Sequence, residues 1–179
     1  MEVPQSVAVA SIAMVQQDIS LYAISVRDNL CLWRPDVSED QIWSACADAQ
    51  LIEMITALPD GLNTELAEGG RDLSGGQRQR LELAWVLLQD LTILILDEAT
   101  SALDAETERL VDEALRRRAC TQILVAHRLS TIRDADQILV LERGRVVQRG
   151  RHEQLMTEPE GAYARLVAEE RLSNESYRS

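Results

Sequence analysis

The chain of 179 residues contains no lysine, and all 18 of its basic residues are arginine. A phosphate-binding loop of the form GxxxxGK[ST] therefore cannot occur within these residues, because that loop requires its lysine. Phenylalanine is also absent, and aromatic residues make up only 3% of the chain. The 30 acidic residues give a net charge of −12. This charge argues against nucleic acid and anionic membrane surfaces as partners, because both are bound by basic patches.

Three further absences narrow the class of protein. No apolar run approaches the ~20 residues of a membrane-spanning helix, and the start Met-Glu-Val-Pro lacks the basic and apolar regions of a signal peptide. Cys31, Cys46 and Cys120 are widely spaced without a metal-binding pair, which favours free thiols in a reducing cytosol. With 46% apolar residues, the chain is long enough for one globular domain with a core.

Hydrophobic patterning predicts an α/β fold with a parallel sheet. Short apolar runs at residues 7–15, 92–96 and 122–126 predict buried strands, the second of them buried on both faces. In the second half of the chain these strands alternate with helices, as in parallel sheets. Residues 137–141 and 146–147 flank Glu142-Arg143-Gly144-Arg145 and predict a β-hairpin.

Helix signals are densest between residues 38 and 90, which we expect to form an inserted helical subdomain. Ser38-x-x-Gln41 is a capping box that opens a helix to about Leu58, and Ser74 caps another to about Leu88. Further helices are expected near 26–30, from Asp104 to the solvated basic turn at 116–118, at 152–156 and at 162–172, before a frayed tail at 173–179. The chain thus divides into a core strand (1–15), a connecting region (16–37), the helical subdomain (38–90) and the remaining α/β core (91–179).

The run Leu73-Ser74-Gly75-Gly76-Gln77 predicts a phosphate-binding helix start. A helix N-terminus presents unpaired N–H groups and the positive end of the helix dipole, so it attracts phosphate. The two glycines allow the backbone to approach an anion closely. The alternative is an ordinary helix cap that follows a turn.

Polar residues follow three of the predicted strands: Asp97 and Glu98, then His127, and Gln17 with Gln16 and Asp18 as alternatives. Ligands bind beyond the carboxyl ends of parallel strands. An acid at that edge holds Mg²⁺, and its neighbour orients or deprotonates a water molecule. Taken alone, Asp97 and Glu98 fit a solvated loop equally well, a lone histidine at a strand end such as His127 is more often structural, and Gln17 is a weak signal.

In this order and spacing, the motifs resemble the nucleotide-binding domain of ATP-binding cassette (ABC) transporters, from about residue 11 to about residue 167. LSGGQRQR at 73–80 is similar to the ABC signature, ILILDEATSALD at 93–104 to Walker B with the D-loop, and ILVAHRLSTI at 123–132 to the H-loop. Gln17 resembles the Q-loop glutamine, and Glu68 the acidic residue before the signature in exporters. SVRDNLCLW and LAEGGRDLSGGQRQRLELA are similar to bacterial peptide or bacteriocin exporters. The implied fold is a partial P-loop NTPase (RecA-like) parallel sheet with an inserted α-helical signature subdomain.

The resemblance also implies a mechanism and partners. Two ATPase domains pair head to tail with ATP and Mg²⁺ between them, at the cytoplasmic face of a transmembrane partner. The signature residues contact the γ-phosphate of a nucleotide that the partner domain holds, and they are Leu73, Ser74, Gly75, Gly76 and Gln77. Asp97 and Gln17 serve Mg²⁺, Glu98 is the general base, His127 is the switch, and Asp104 and Glu68 serve the interface and coupling.

The chain departs from the family pattern in several ways. Walker A and the adenine-stacking aromatic residue lie upstream of the Q-loop strand in the family and are absent here, and Tyr22 and Trp85 stand where Phe and Arg are common. We interpret the chain as an N-terminally truncated exporter ATPase domain (a truncated product, a fragment or a misassigned start) that is inactive alone. The alternative is a non-catalytic module that pairs with an intact ABC ATPase and regulates or completes its site. An unrelated P-loop kinase is disfavoured, because LSGGQ has no role there.

The resemblance carries an expectation about stability. The family's P-loop strand lies between the strand that ends at His127 and the strand around 137–141. Without it, residues 122–126 are expected to have an open apolar edge, which promotes aggregation. The isolated chain is therefore expected to be marginally stable, oligomeric or partly molten, with residues 38–90 comparatively ordered.

Overall fold

A computed structural model describes residues 12–16, 21–32, 34–89, 91–125 and 132–176. The chain forms two compact units, residues 1–125 and 126–179. The first unit contains β1 (Ile12–Val15), α1 (Val26–Cys31), α2 (Glu39–Asp48), α3 (Ile52–Ala57), α4 (Gly75–Leu87), β2 (Ile93–Asp97), α5 (Ala105–Arg116) and β3 (Thr121–Val125). The second contains β4 (Ile138–Glu142), β5 (Arg145–Gly150), α6 (His152–Leu155) and α7 (Ala162–Ser176). The α/β fold is confirmed.

The three strands of the first unit form a parallel sheet in the order β1-β2-β3. Val15 pairs with Leu96, and Asp97 pairs with Val125, so that the strands end at one shared edge. The expectation that β2 is buried on both faces is wrong, and β3, which was predicted to be buried, is exposed on one face. Burial alternates along each strand, and Ile123 and Val125 of β3 are about half exposed. The part of the first predicted strand before Ile12 lies outside the described residues.

The helix predicted from Ser38 to Leu58 is in fact two helices, α2 and α3. The predicted capping box at Ser38 and Gln41 is present. The helix ends early because Gln50 adopts a left-handed φ of 58°. The N–H groups of Gln50 and Leu51 then donate to the carbonyls of Ala47 and Cys46, which is the hydrogen-bond pattern of a Schellman helix end. Glycine usually occupies the position of Gln50, so the sequence carried no clear stop signal there.

One apolar core joins the sheet of the first unit to its helices. Its strand residues are Ala13, Val15, Leu94 and Leu96, each at most 6% exposed. Burying one such leucine or valine contributes about 1.5–3 kcal/mol. Trp43 and Trp85 pack against this core as partly buried residues.

The second unit is built on the predicted hairpin. Strands β4 and β5 pair antiparallel through a turn in which Arg143 and Gly144 have φ values of 49° and 75°. Two residues with positive φ make the tight turn that matches strand twist. The buried Tyr163 of α7 shares a 2.8 Å hydrogen bond with Nδ1 of His152. Helix α7 continues to Ser176, so the predicted frayed tail is helical over residues 173–176.

Candidate functional site

The 73–77 turn begins α4, as predicted, and it does so through a complete capping box. Ser74 Oγ accepts a hydrogen bond from the N–H of Gln77 at 3.2 Å, and Gln77 Oε1 accepts one from the N–H of Ser74 at 2.7 Å. The two side chains thus satisfy each other's backbone groups. The remaining donors of the first turn are the N–H groups of Gly75 and Gly76, which have no intrahelical acceptor.

The two glycines lie against the loop that follows β2. A Cβ added to Gly76 would lie 3.0 Å from the carbonyl oxygen of Ala102, and one added to Gly75 would lie 3.7 Å from the Cβ of Ala102. Gly76 therefore packs closely against this loop, in addition to the access to an anion that the sequence predicts for it. Sequence analysis attributed this glycine to access alone.

Gln79 connects α4 to the same loop, and sequence analysis did not identify it as a site residue. It is 3% exposed, and its Nε2 donates to the carbonyl of Glu98 at 3.2 Å and to Ser101 Oγ at 3.1 Å. Its Oε1 accepts from the N–H of Ala102 at 3.0 Å. A polar residue on the face that also carries Leu83 and Val86 was the available signal, because residues at i, i+4 and i+7 share a buried helix face.

Asp97 and Glu98 lie at the carboxyl end of β2, as predicted. The N–H of Glu98 donates to the carbonyl of Val125 at 3.0 Å, which joins the ends of β2 and β3. Glu98 has a φ of 52°, an uncommon value for a residue with a side chain. Such conformations cluster at functional sites. Gln17 and His127, which were expected at this edge, lie outside the described residues, as does Asp18.

Asp104, predicted to cross a domain interface, is the N-cap of α5. Its Oδ1 accepts from the N–H groups of Glu106 and Thr107 at 3.2 and 3.0 Å, and its Oδ2 accepts from Thr107 Oγ1 at 2.7 Å. These bonds, led by the one from the Thr107 N–H, lower the pKa of Asp104. Glu68 begins a short 3₁₀ helix at 68–70, just before the 73–77 turn, and is exposed.

The Asp97 carboxylate and the N–H groups of Gly75 and Gly76 are the kinds of group that bind magnesium and phosphate. Mg²⁺ is commonly held by one or two carboxylates together with substrate phosphates and water, and Asp97 places one carboxylate at the sheet edge. Within the described residues there is no group of three or more His, Cys, Asp and Glu side chains placed to hold a metal by themselves. Among the helices that the structure describes, none is long and apolar enough to cross a membrane.

Comparison with known proteins places this geometry in a family. The ABC transporter family model matches residues 5–101. The chain is 49% identical over 157 residues to the ATP-dependent lipid A-core flippase of Chromobacterium violaceum, covering 87% of this chain and 27% of the flippase. It is 44% identical over 160 residues to ABC transporter B family member 21 of Arabidopsis thaliana, covering 88% of this chain and 12% of that protein.

The fold comparison agrees. The structure of a bacterial Atm1-family ABC exporter with ATP bound superposes with a TM-score of 0.88 and 38% identity, covering 94% of this chain and 30% of that one. The chain therefore belongs to the ABC transporter family, and the resemblance to an exporter-type ATPase domain is confirmed. It spans 12% to 30% of the length of these relatives.

Proposed function

We propose that the chain is part of the ATPase component of an exporter, coupling ATP binding and hydrolysis to export of a peptide or small molecule. One observation carries the proposal: Gln79 joins the helix that begins at the 73–77 turn to the loop that follows Asp97 and Glu98. The two motifs that carry the resemblance are thus one connected structure. The exporters among its relatives, one of which was solved with ATP bound, support this assignment.

The residue roles follow from the local geometry. Because Ser74 and Gln77 cap each other, the N–H groups of Gly75 and Gly76 are the donors that meet the γ-phosphate of a nucleotide held by the partner domain. Asp97 holds Mg²⁺, which screens the phosphate charge and orients the phosphate when bound. Glu98 orients and deprotonates the attacking water. Gln17 and His127 complete the set as Mg²⁺ sensor and switch.

The assembly follows from the same assignment. A site that contacts phosphate only through a helix start requires a second ABC ATPase domain, paired head to tail, to supply a P-loop. A transmembrane domain is the other partner, with the ATPase pair on the cytoplasmic face of the membrane. The segments 1–15, 16–37, 38–90 and 91–179 then correspond to a core strand, the Q-loop region, the signature subdomain and the remaining core.

A second function is favoured by one observation. The 73–77 turn forms its caps and its packing from residues of this chain alone. A chain of this kind acts as a non-catalytic module that completes the site of an intact ABC ATPase.

The purified 179-residue chain is expected not to hydrolyse ATP. Phosphoryl transfer depends mainly on positioning the phosphates, and the lysine and loop amides that position them are missing from these residues. Phosphate release with Mg²⁺ and ATP is the measurement, and Glu98→Gln is the control for contaminating activity. Mg²⁺-dependent turnover that this substitution abolishes would contradict the expectation.

Mixing the chain with an intact ABC exporter ATPase domain tests the second function. The wild-type chain is expected to stimulate the partner's ATPase, and Gly76→Asp is expected to abolish the stimulation because it places a carboxylate beside the incoming phosphate. The control Gly76→Ala introduces the 3.0 Å contact with Ala102 without the charge. If Gly76→Asp stimulates as well as wild type, the proposed phosphate contact is wrong.

A further inference from the structure

Asn29 of α1 is a buried polar side chain that none of the roles above uses, and it is 5% exposed. Its Nδ2 donates to the carbonyls of Tyr22, Ile24 and Ser25 at 3.1, 3.3 and 3.1 Å. Its Oδ1 accepts from the N–H of Tyr22 at 2.9 Å. Both ends of the side-chain amide are thus satisfied, as a buried polar group requires. One side chain therefore fixes the backbone of residues 22–25.

The backbone that Asn29 holds pairs in turn with residues 64–69. Three backbone hydrogen bonds, each 3.0 Å long, join the two segments: Val26 N–H to the Thr64 carbonyl, Leu66 N–H to the Ile24 carbonyl, and Gly69 N–H to the Leu21 carbonyl. Ser25 and Glu65 form an antiparallel β-bridge between the same segments. Because each bond joins backbone to backbone, the conformation of one segment sets the position of the other.

Gly70 extends this contact to α4. It is buried and has a left-handed φ of 59°. A Cβ added to it would lie 2.6 Å from Cδ1 of Leu21 and 3.3 Å from Cγ and Cδ of Arg78 on α4. Its carbonyl accepts from the N–H of Leu73, the first residue of the 73–77 turn, at 3.0 Å. The segment that Asn29 holds therefore packs against the residues that lead into the start of α4.

We propose that Asn29 is a positioning residue: by fixing residues 22–25 it holds residues 64–70, and through them the start of the 73–77 turn. An amide suits this task because it both donates and accepts, whereas a carboxylate only accepts and an apolar side chain does neither. The consequence for phosphate binding at the 73–77 turn rests on the proposed function. The contacts themselves do not.

Amide hydrogen exchange of the 179-residue chain, followed by nuclear magnetic resonance without nucleotide or partner, tests the positioning. In Asn29→Leu, protection of the Leu66 and Gly69 amides is expected to fall about tenfold or more beyond any fall at residues 94–96 of β2, because local opening exposes only the segments that the lost hydrogen bonds held. A residue that contributes only to global stability would lower protection equally at both places, and that result would overturn the proposal.

Asn29→Asp separates hydrogen bonding from shape. At neutral pH its carboxylate can only accept, so the Leu66 and Gly69 amides are expected to lose protection as in Asn29→Leu. As pH is lowered, the buried carboxyl group takes up a proton and regains one donor, so part of the protection is expected to return. The wild-type chain, which keeps Asp28, corrects for other groups that titrate. Identical behaviour of Asn29→Asp and Asn29→Leu at every pH would overturn the proposal.

Asn63 supplies the matched control, because it is an exposed asparagine in the turn that precedes residues 64–69. Asn63→Leu is expected to leave protection at Leu66 and Gly69 unchanged. In the wild-type chain, which needs no variant to fold, the side-chain NH₂ of Asn29 is expected to exchange about tenfold or more slowly than that of Asn63, because it is buried and bonded. Equal exchange of the two would overturn the proposal. Because no experiment involves ATP, a failure here is distinguishable from a failure of the proposed function.

Discussion

The two faces of the β1–β2–β3 sheet differ sharply in burial. On one face, Val15, Leu96 and Leu124 form a row across the strands, and the first two are at most 4% exposed. On the other, the row of Met14, Ile95 and Ile123 is covered only in part, with Met14 41% and Ile123 48% exposed. Both rows are apolar, so composition does not distinguish them. The difference is one of core membership, because the first row belongs to the apolar core that the sheet shares with the helices and the second row does not.

The open face of the sheet includes Asp97 of the candidate site. Asp97 and its register partner Val125 continue the open row at the carboxyl ends of the strands. Within the described residues β3 pairs only with β2, so its outer edge has no neighbouring strand. The expected open edge at 122–126 stays a prediction. The marginal stability and oligomer formation expected of the isolated chain remain predictions.

The largest expected effect is a difference in the free energy of unfolding between substitutions on the two faces. Leu94→Ala on the buried face is expected to lower the free energy of unfolding by about 2–5 kcal/mol, because it leaves a cavity in the core. Ile123→Ala on the open face is expected to cost less than about 1 kcal/mol, because water already reaches this side chain. Urea unfolding at one pH compares the two. Equal losses would show that the open face is covered in solution.

The next effect concerns the polar contact between α4 and the loop after β2. Gln79→Leu is expected to cost about 1–3 kcal/mol, because Ala102 N–H and the Glu98 carbonyl lose their partner inside the core. The matched control is Gln89→Leu, which makes the same change beyond the end of α4 and is expected to be near neutral. Thermal unfolding followed by circular dichroism measures both. A neutral Gln79→Leu would mean that the loop is held by its glycine packing alone.

A smaller, pH-dependent effect on stability is expected at Asp104, the N-cap of α5. Because its pKa is lowered in the folded chain, its stabilising contribution is present above the unfolded value of about 3.9 and is lost as pH falls through the lower folded value. Asp104→Ala should therefore destabilise the chain at pH 7 and leave its stability nearly unchanged at the lowest pH reached. Urea titrations from pH 2.5 to 7 check this. A constant difference across that range would indicate lost packing instead of a lost charged cap.

The smallest stability change and the clearest change in association are expected at the edge of β3. Val125→Thr should alter the free energy of unfolding by no more than about 0.5 kcal/mol, because Val125 is 49% exposed. It should reduce oligomer formation, because an exposed apolar edge strand templates pairing. Light scattering after size-exclusion chromatography measures association, and hydrogen exchange is expected to show weaker protection at 121–125 than at 93–97. A monomer with strong protection in both strands would show that the edge is closed.

Local sequence signals predicted most of the elements, because caps and turns depend on residues close together in the chain. Ser74 and Gln77 begin α4, Asp104 begins α5, and Arg143-Gly144 makes the hairpin turn. The division of the helix at 38–58 was missed, because its end depends on Gln50 in a conformation that glycine normally supplies.

Contacts between distant residues were not predictable in the same way. The basic run at 116–118 is an exposed helix end, as interpreted, but the ion pairs of Arg117 and Arg118 with Asp48 at 2.8 and 3.5 Å were not predicted. Asp48 ends α2, where the helix dipole disfavours a negative charge, and the two arginines offset it. The pairing joins residues 69 positions apart, and no local pattern specifies it.

The sequence by itself determined the order of strands and helices, the family motifs and the helix starts, because hydrophobic periodicity and helix capping depend on neighbouring residues. Only the tertiary structure decided which face of the sheet is covered, how closely Gly76 approaches the Ala102 carbonyl, and that Gln79 fastens α4 to the loop after β2. These properties arise where segments distant in the chain meet. There, burial and hydrogen-bond geometry assign each side chain a role that its type alone leaves open.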